Sequence, residues 1–205
     1  MSVALSIREH IARLSSDEIF VTRDLLVYGE RGAVDMILHK LVKRGFIFRL
    51  ARGVFRRGGA DLPLPAPFHI AQAKARAFGK DIWRNGEDGA RQAGILKPEG
   101  KDCETEFHTS GCTTAFSSLC GVISFKKTAQ RKSRWQGSLA AAFIWLLWWR
   151  GKDSYEQSFA HECGRSLGVR DWMQVGRSRH LTPAWLQSCL RELLSLLSGP
   201  SARAG

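Results

Sequence analysis

What the sequence lacks narrows the field first. No apolar run is long enough to span a bilayer: the longest, Leu139 to Trp149 (LAAAFIWLLWW), falls well short of the ~20 residues a spanning helix needs, so a buried helix is expected there. No secretory leader is visible in MSVALSIREHIARL, where Glu9 and a helical period stand in place of a charged start, a long apolar core and a cleavage site. A cytoplasmic location is therefore expected. The 5 cysteines, Cys103, Cys112, Cys120, Cys163 and Cys189, include no CxxC pair, so free thiols and no disulfides are expected. The 6 histidines are scattered with no HExxH, no nucleophile elbow accompanies them, and no glycine-rich phosphate loop precedes a helix. No catalytic set can be assembled, so neither an enzyme nor a cofactor is expected.

Acidic residues are also scarce. With 19 Asp plus Glu against 31 Lys plus Arg, the formal charge is +12, the footprint of a protein that meets a polyanion. What remains is ordinary globular material. At 205 residues, 44% hydrophobic and 24% charged, the chain is too apolar for a disordered tail, too mixed for a coiled-coil rod and too long for a disulfide miniprotein. One large domain or two small ones are expected.

Before residue 60 the pattern is helical. Ile7, Ile11 and Leu14 make the inner stripe of a first helix, which Ser15-Ser16-Asp17 breaks. A short apolar link, Ile19 to Val21, leads to Thr22, whose hydroxyl is expected to cap a second, short helix ending near Tyr28-Gly29. A third helix is predicted from about Arg31 to Arg44. Val34, Ile37, Leu38 and Leu41 share one face, Arg31, Asp35, His39 and Lys43 the other, and Gly45 sits where a left-handed cap is wanted. The period then drops to two, and Phe46 to Leu50, a turn at Ala51-Arg52-Gly53, and Val54 to Arg57 read as a β-hairpin.

Three helices and a hairpin predict a winged helix-turn-helix over residues 1–58. Two glycines and three prolines between Gly58 and Pro67 make 59–67 read as a linker, and 68–205 as a mixed α/β C-terminal domain ending in helices. The expected class is α+β. Within the second domain the pattern predicts helix over Phe68 to Phe78 and a short strand over Asp81 to Arg84. A short helix follows over Gly89 to Ile95, then strands between Lys101 and Lys127, including Val122 to Phe125. Helices are predicted over Leu139 to Arg150, Tyr155 to Leu167 and Pro183 to Leu197.

Between Met36 and Ala60 stand Lys40, Lys43, Arg44, Arg49, Arg52, Arg56 and Arg57, with no Asp or Glu. In a helix-turn-helix the third helix enters the major groove while the wing meets backbone or minor groove, so this charge falls where DNA would lie. Arg31 is the candidate base reader, because its planar fork matches guanine O6 and N7, with Asp35 and His39 following on the same face. Lys40, Lys43, Arg49, Arg52 and Arg56 are candidate phosphate contacts, joined by Arg57 and, at the start of the second helix, by Thr22 and Arg23. The alternative is a solvated basic face, the usual meaning of a charge run with no motif around it. A second cluster, Lys126, Lys127, Arg131, Lys132 and Arg134, is either a further DNA contact or a loop that is basic for solubility.

The stretch TRDLLVYGERGAVDMILHKLVKRGFIFRLARGVF, Thr22 to Phe55, resembles the N-terminal winged helix-turn-helix of the AbiEi-type antitoxins, regulators of type IV toxin-antitoxin and abortive-infection systems. The resemblance lies in the short helix with Asp24, the glycine turn before an Arg, the AVD-x-x-L-x-x-L run from Ala33 to Leu41, and the Arg-Gly-Phe-Ile entry into a wing closed by Ala-Arg-Gly. It implies a cytoplasmic DNA-binding repressor of its own operon, set against a nucleotidyltransferase toxin without a stable complex. Ile70 to Ile95 is similar more loosely. The Ala-Ala-Asn and Leu-Gly-Leu pattern usual after the family's turn is replaced by Gly89 to Ile95, and the Tyr and Pro that commonly close the wing by Phe55-Arg56-Arg57-Gly58.

Cys103, His108, Cys112 and Cys120 follow a C-x4-H-x3-C-x7-C spacing that suits tetrahedral zinc in ligand type but lacks the tight knuckle, so no metal site is expected. Trp145, Trp148 and Trp149 read as core, although aromatics also stack bases in single-strand binders. No amphipathic helix backs the basic residues, so no membrane partner is expected. The partner expected is an operator in double-stranded DNA with inverted half-sites, bound by a monomer or weak dimer. A protein-interaction module, an antitoxin or phage-defence inhibitor with the winged domain as scaffold, is the alternative.

Overall fold

Helix α1 (Val3–Arg13) starts at Ser2, whose side chain accepts from the Leu5 amide, and drives Ile7 and Ile11 wholly out of solvent. In the computed structural model, which describes residues 2–58, 61–98, 105–129 and 137–197, the chain divides into two compact units. The first is Met1–Ile82 with Asp102–Lys127, the second Trp83–Lys101 with Thr128–Gly205.

In the first unit, α1 is followed by strand β1 (Ile19–Val21), a 3-10 segment (Thr22–Tyr28), helix α2 (Arg31–Lys43), and the hairpin β2 (Ile47–Ala51) and β3 (Val54–Arg57). Gly45 leaves α2 at φ 68°, the left-handed exit that its position in the sequence predicts. β1 pairs antiparallel with β3, Phe20 opposite Phe55 and Val21 opposite Val54. Then come α3 (Pro67–Ala77), β4 (Ile82–Trp83), β5 (Glu106–Thr109), β6 (Thr114–Ser118) and β7 (Gly121–Lys127). The strands join in the order β1-β3-β2-β6-β7-β5-β4; β1 with β3, β3 with β2, β2 with β6 and β6 with β7 run antiparallel, and β5 with β7 parallel. The link from β2 to β6 is narrow: Ala51 opposite Ser118, with the Leu119 amide donating to the Leu50 carbonyl at 3.0 Å.

Period-two alternation explains how the hairpin is buried on both faces. Phe20, Ile47 and Phe55 face α1 and α2, joining Ile7, Ile11, Leu25, Val34, Leu38 and Leu41. Val21, Leu50 and Val54 face the other way, into a core with Ile70, Phe107, Ile123 and Phe125. Each large side chain so buried contributes about 1.5–3 kcal/mol.

This second buried face changes the expected domain division. The 59–67 stretch does not release a free second domain, because α3 and β5 to β7 belong to the same unit as the hairpin. Hydrogen bonds hold residues 62–65 in place: the Arg56 guanidinium donates to the carbonyls of Pro63 (2.6 Å) and Leu62 (3.2 Å), and the Cys120 thiol to that of Pro65 (3.5 Å). A composition rich in glycine and proline marks irregular backbone, which here is packed rather than loose.

The second unit is helical: α4 (Gly86–Gln92), α5 (Leu139–Arg150), α6 (Gln157–Gly164), α7 (Val169–Ser178), a 3-10 turn (Arg179–Leu181) and α8 (Ala184–Leu197). Asn85 caps α4 by accepting from the Asp88 amide, and Ser138 caps α5 by accepting from that of Ala141. Helix α5 is buried almost all round, Trp145 and Trp148 included, with Trp149 left 39% exposed. Helix α4 lies against it at Gly86, where a Cβ would stand 2.3 Å from that of Trp149 and 3.0 Å from the Trp145 carbonyl. Helix α7 was not foreseen. No helix among the described residues is long and apolar enough to cross a membrane. The class is α+β.

Candidate nucleic-acid interface

Helix α2 shows its charged face to solvent. Arg31, in its first turn, is 67% exposed, and its Nε donates to Asp35 Oδ2 at 3.0 Å, one turn on. A cation at a helix N-terminus opposes the macrodipole by about 0.3–1 kcal/mol, a cost the Asp35 pair offsets in part. Its terminal nitrogens are the atoms a guanine edge would take. His39, Lys40 and Lys43 are exposed further along, the two lysines in the last turn where positive charge suits the dipole.

The hairpin divides its arginines. Arg49 on β2 and Arg52 at the turn are exposed, the turn made possible by Gly53 at φ 75°. Arg56, expected to hold phosphate, is 2% exposed. It lies on the Val54 side of the strand, its guanidinium 5.5 Å from the Phe48 ring centre and bonded to the carbonyls of Leu62 and Pro63. Arg57 is half-buried and donates to the Leu14 carbonyl beyond the end of α1. Both arginines are internal ties: neighbours on a strand point to opposite faces, and here each face is covered, by the Leu62–Pro63 backbone over Arg56 and by the end of α1 over Arg57.

Two further expectations are corrected. Thr22 is 4% exposed, out of reach of a ligand on the surface, and its hydroxyl caps nothing. The cap comes from Asp24, whose carboxylate accepts from the Val21 amide at 3.0 Å, and the segment winds as 3-10 helix. Arg23 is exposed, but its guanidinium donates to the Ala77 carbonyl at 2.6 Å, while Arg76 pairs with Asp24 at 3.0 Å. These two bonds strap α3 to the 3-10 segment.

That strap delivers a residue the sequence did not point to. Lys74 on α3 donates from Nζ to the Arg52 carbonyl at 2.6 Å, with its ammonium 5.8 Å from the Phe78 ring centre and 5.5 Å from that of Phe116. Burial lowers its pKa below the ordinary lysine value, and the positive charges of Arg52, Arg31 and Arg49 lower it further. Four cations from α2, β2, the hairpin turn and α3 thus share one field. The signal for Lys74 was hidden because α3 had been assigned to another domain.

The second basic cluster is less coherent. Lys126 pairs with Glu106 at 2.6 Å across β5 and β7, an exposed bridge worth about 0–1 kcal/mol, and Lys127 is exposed at the strand end. Arg131, Lys132 and Arg134 lie outside the described residues, as does Cys103. Of the other weighed zinc ligands, His108 is buried in β5, Cys112 is exposed, and the Cys120 thiol is turned to Pro65. Among the described residues no three His, Cys, Asp or Glu gather as metal ligands. No protein-family model matches the sequence, and comparison with curated proteins finds no match.

Proposed function

We propose that this chain is a sequence-specific binder of double-stranded DNA that represses transcription, with residues 1–58 acting as a winged helix-turn-helix. The observation that carries the reading is geometric: Arg31, Arg49 and Arg52 stand exposed on α2, β2 and the hairpin turn, and Lys74 is bonded to the Arg52 carbonyl beside them. Like charges held together oppose folding, and a polyanion relieves them. The order helix, strand, short helix, helix, hairpin supports the reading, since a winged helix-turn-helix uses it with its last helix as reader. Arg31 then reads a base edge beside Asp35 and His39, while Lys40, Lys43, Arg49, Arg52 and Lys74 hold phosphates. Arg56, Arg57 and Thr22 leave the contact set.

The resemblance of Thr22 to Phe55 to the AbiEi-type antitoxins extends the proposal to a cytoplasmic repressor of its own operon, opposing a nucleotidyltransferase toxin without a stable complex. The chain works as a binding protein, not an enzyme, on paired half-sites as a monomer or weak dimer. The test is footprinting on the DNA upstream of the chain's own gene, with affinity measured against salt. About five phosphate contacts give a log-log slope near −4.5. A flat salt response with no protected sequence overturns the proposal in favour of a protein partner.

A further inference from the structure

The lysine that serves the cationic field also opens onto a cleft of about 430 Å³ in the first unit. Phe78, Phe116 and Phe125 are among its lining residues, Lys74 and Lys80 are its charged ones, Thr109, Thr114 and Cys112 add polar groups, and the lining holds no Asp or Glu. Phe116 and Phe125 are tilted at 53° with centres 5.6 Å apart, and Phe78 is 64% exposed at the mouth. The bare Cα of Gly111 lets the Lys80 stem lie close: a Cβ there would stand 3.1 Å from Lys80 Cγ. The volume falls within the ~300–1,000 Å³ usual for small-molecule sites, which are largely apolar with a few convergent polar groups.

We propose that this cleft binds a small aromatic carboxylate, whose ring lies on the phenylalanines and whose charge meets Lys74 and Lys80. The occupant follows from complementarity. Two ammonium groups favour an anion, aromatic walls favour a flat ring, and the lining offers no carboxylate to favour a cation. Occupation is felt at the hairpin, because Lys74 is bonded to the Arg52 carbonyl and shares charge with Arg31 and Arg49. A bound carboxylate neutralises one cation of that cluster. It thereby weakens binding of duplex about fivefold at ~0.15 M salt and flattens the salt slope by ~0.9. This second effect rests on the DNA-binding reading, whereas binding in the cleft does not.

Calorimetric titration of the full chain with 2-naphthoate tests the site. Saturable binding is expected, roughly tenfold tighter than that of neutral 2-naphthamide, and weakened roughly tenfold by Lys80→Gln and by Phe78→Ser. Both replaced residues are exposed, so the fold survives, and matching thermal melts verify it. No saturable heat up to about 5 mM, equal binding of the amide, or unaltered binding by both variants overturns the site. A chain that binds naphthoate but no duplex leaves the site standing and sinks the DNA reading. A chain whose duplex affinity ignores bound naphthoate overturns the link through Lys74.

Discussion

The charge around α4 in the second unit and that around the hairpin in the first are used in opposite ways. Around α4 charged side chains close on one another: Arg91 pairs with Asp88 (3.0 Å) and Glu87 (3.5 Å), and Arg150 reaches Glu87 at 4.0 Å while lying over the Phe159 ring. Around the hairpin, Arg31, Arg49, Arg52 and Lys74 gather with Asp35 the one carboxylate paired with any of them among the described residues, while Arg56 is buried and Arg57 half-buried, each tied to backbone carbonyls. A count of cations along the chain therefore does not define a surface. What distinguishes display from support is whether the strand or helix face that carries the residue is covered.

The largest expected effect breaks the packing side of this comparison. Gly86→Val drives a branched side chain into Trp149 and the Trp145 carbonyl, and should cost about 3–5 kcal/mol in urea unfolding, since backbone cannot give way as a side-chain tip can. Next comes the interior arginine. Arg56→Leu should lose roughly 1–3 kcal/mol of stability by leaving the Leu62 and Pro63 carbonyls short of donors, while the salt slope of DNA binding at a permissive temperature stays put. A fall in that slope would return Arg56 to the contact set.

Smaller effects test the displayed side. Arg31→Ala should cost about 1–3 kcal/mol of binding and relax preference at one base position, with stability within about 0.5 kcal/mol of the parent chain. Arg52→Gln should weaken binding to all sequences alike and reduce the salt slope by ~0.9. Equal losses from both changes on every DNA tested would refute the division into reader and phosphate holder.

The smallest effect is spectroscopic and lies in the second unit. Burial, then the neighbouring Cys189, pushes the Tyr155 phenol up to about 12. Unfolded chain releases this proton near pH 10 and folded chain keeps it to about 12, so the contribution is intact below pH 10 and stability falls as pH rises through that window. A tyrosinate absorbance step near pH 12 that vanishes in Tyr155→Phe is the expected result. A step near pH 10 from that residue would show the phenol to be solvated.

Elements with a strong local signal were legible in advance. Helix α2 carries Val34, Leu38 and Leu41 at helical spacing and ends at Gly45, and α5 is apolar throughout behind a capping Ser138, so both were placed to within about a residue. Strand β1 was missed because three residues carry no period, and its partner β3 lies far along the chain. Helix α7 was missed for a different reason: its exposed Val169 and Met173 and its many polar residues resemble loop until Val175 is seen packed in the core.

The site divided along the same line. Arg31, Arg49 and Arg52 could be named from a helix period and a hairpin turn, because both features are local. Arg56 could not be separated from them, since alternation tells which residues share a face but not whether that face is covered. The covering is supplied by α3 and the 61–66 stretch, which the linker-like composition had assigned elsewhere.

Amino-acid order alone determined the excess of positive charge, the first three helical stretches, the hairpin and its turn, because each depends on residues close together in the chain. Only the tertiary structure decided that the hairpin is packed on both faces, that Arg56 is buried and Arg57 tied to the end of α1, and that Lys74 joins Arg31, Arg49 and Arg52. Those outcomes depend on which distant segment closes over a strand, and that is settled by packing between elements rather than by any property of the strand itself.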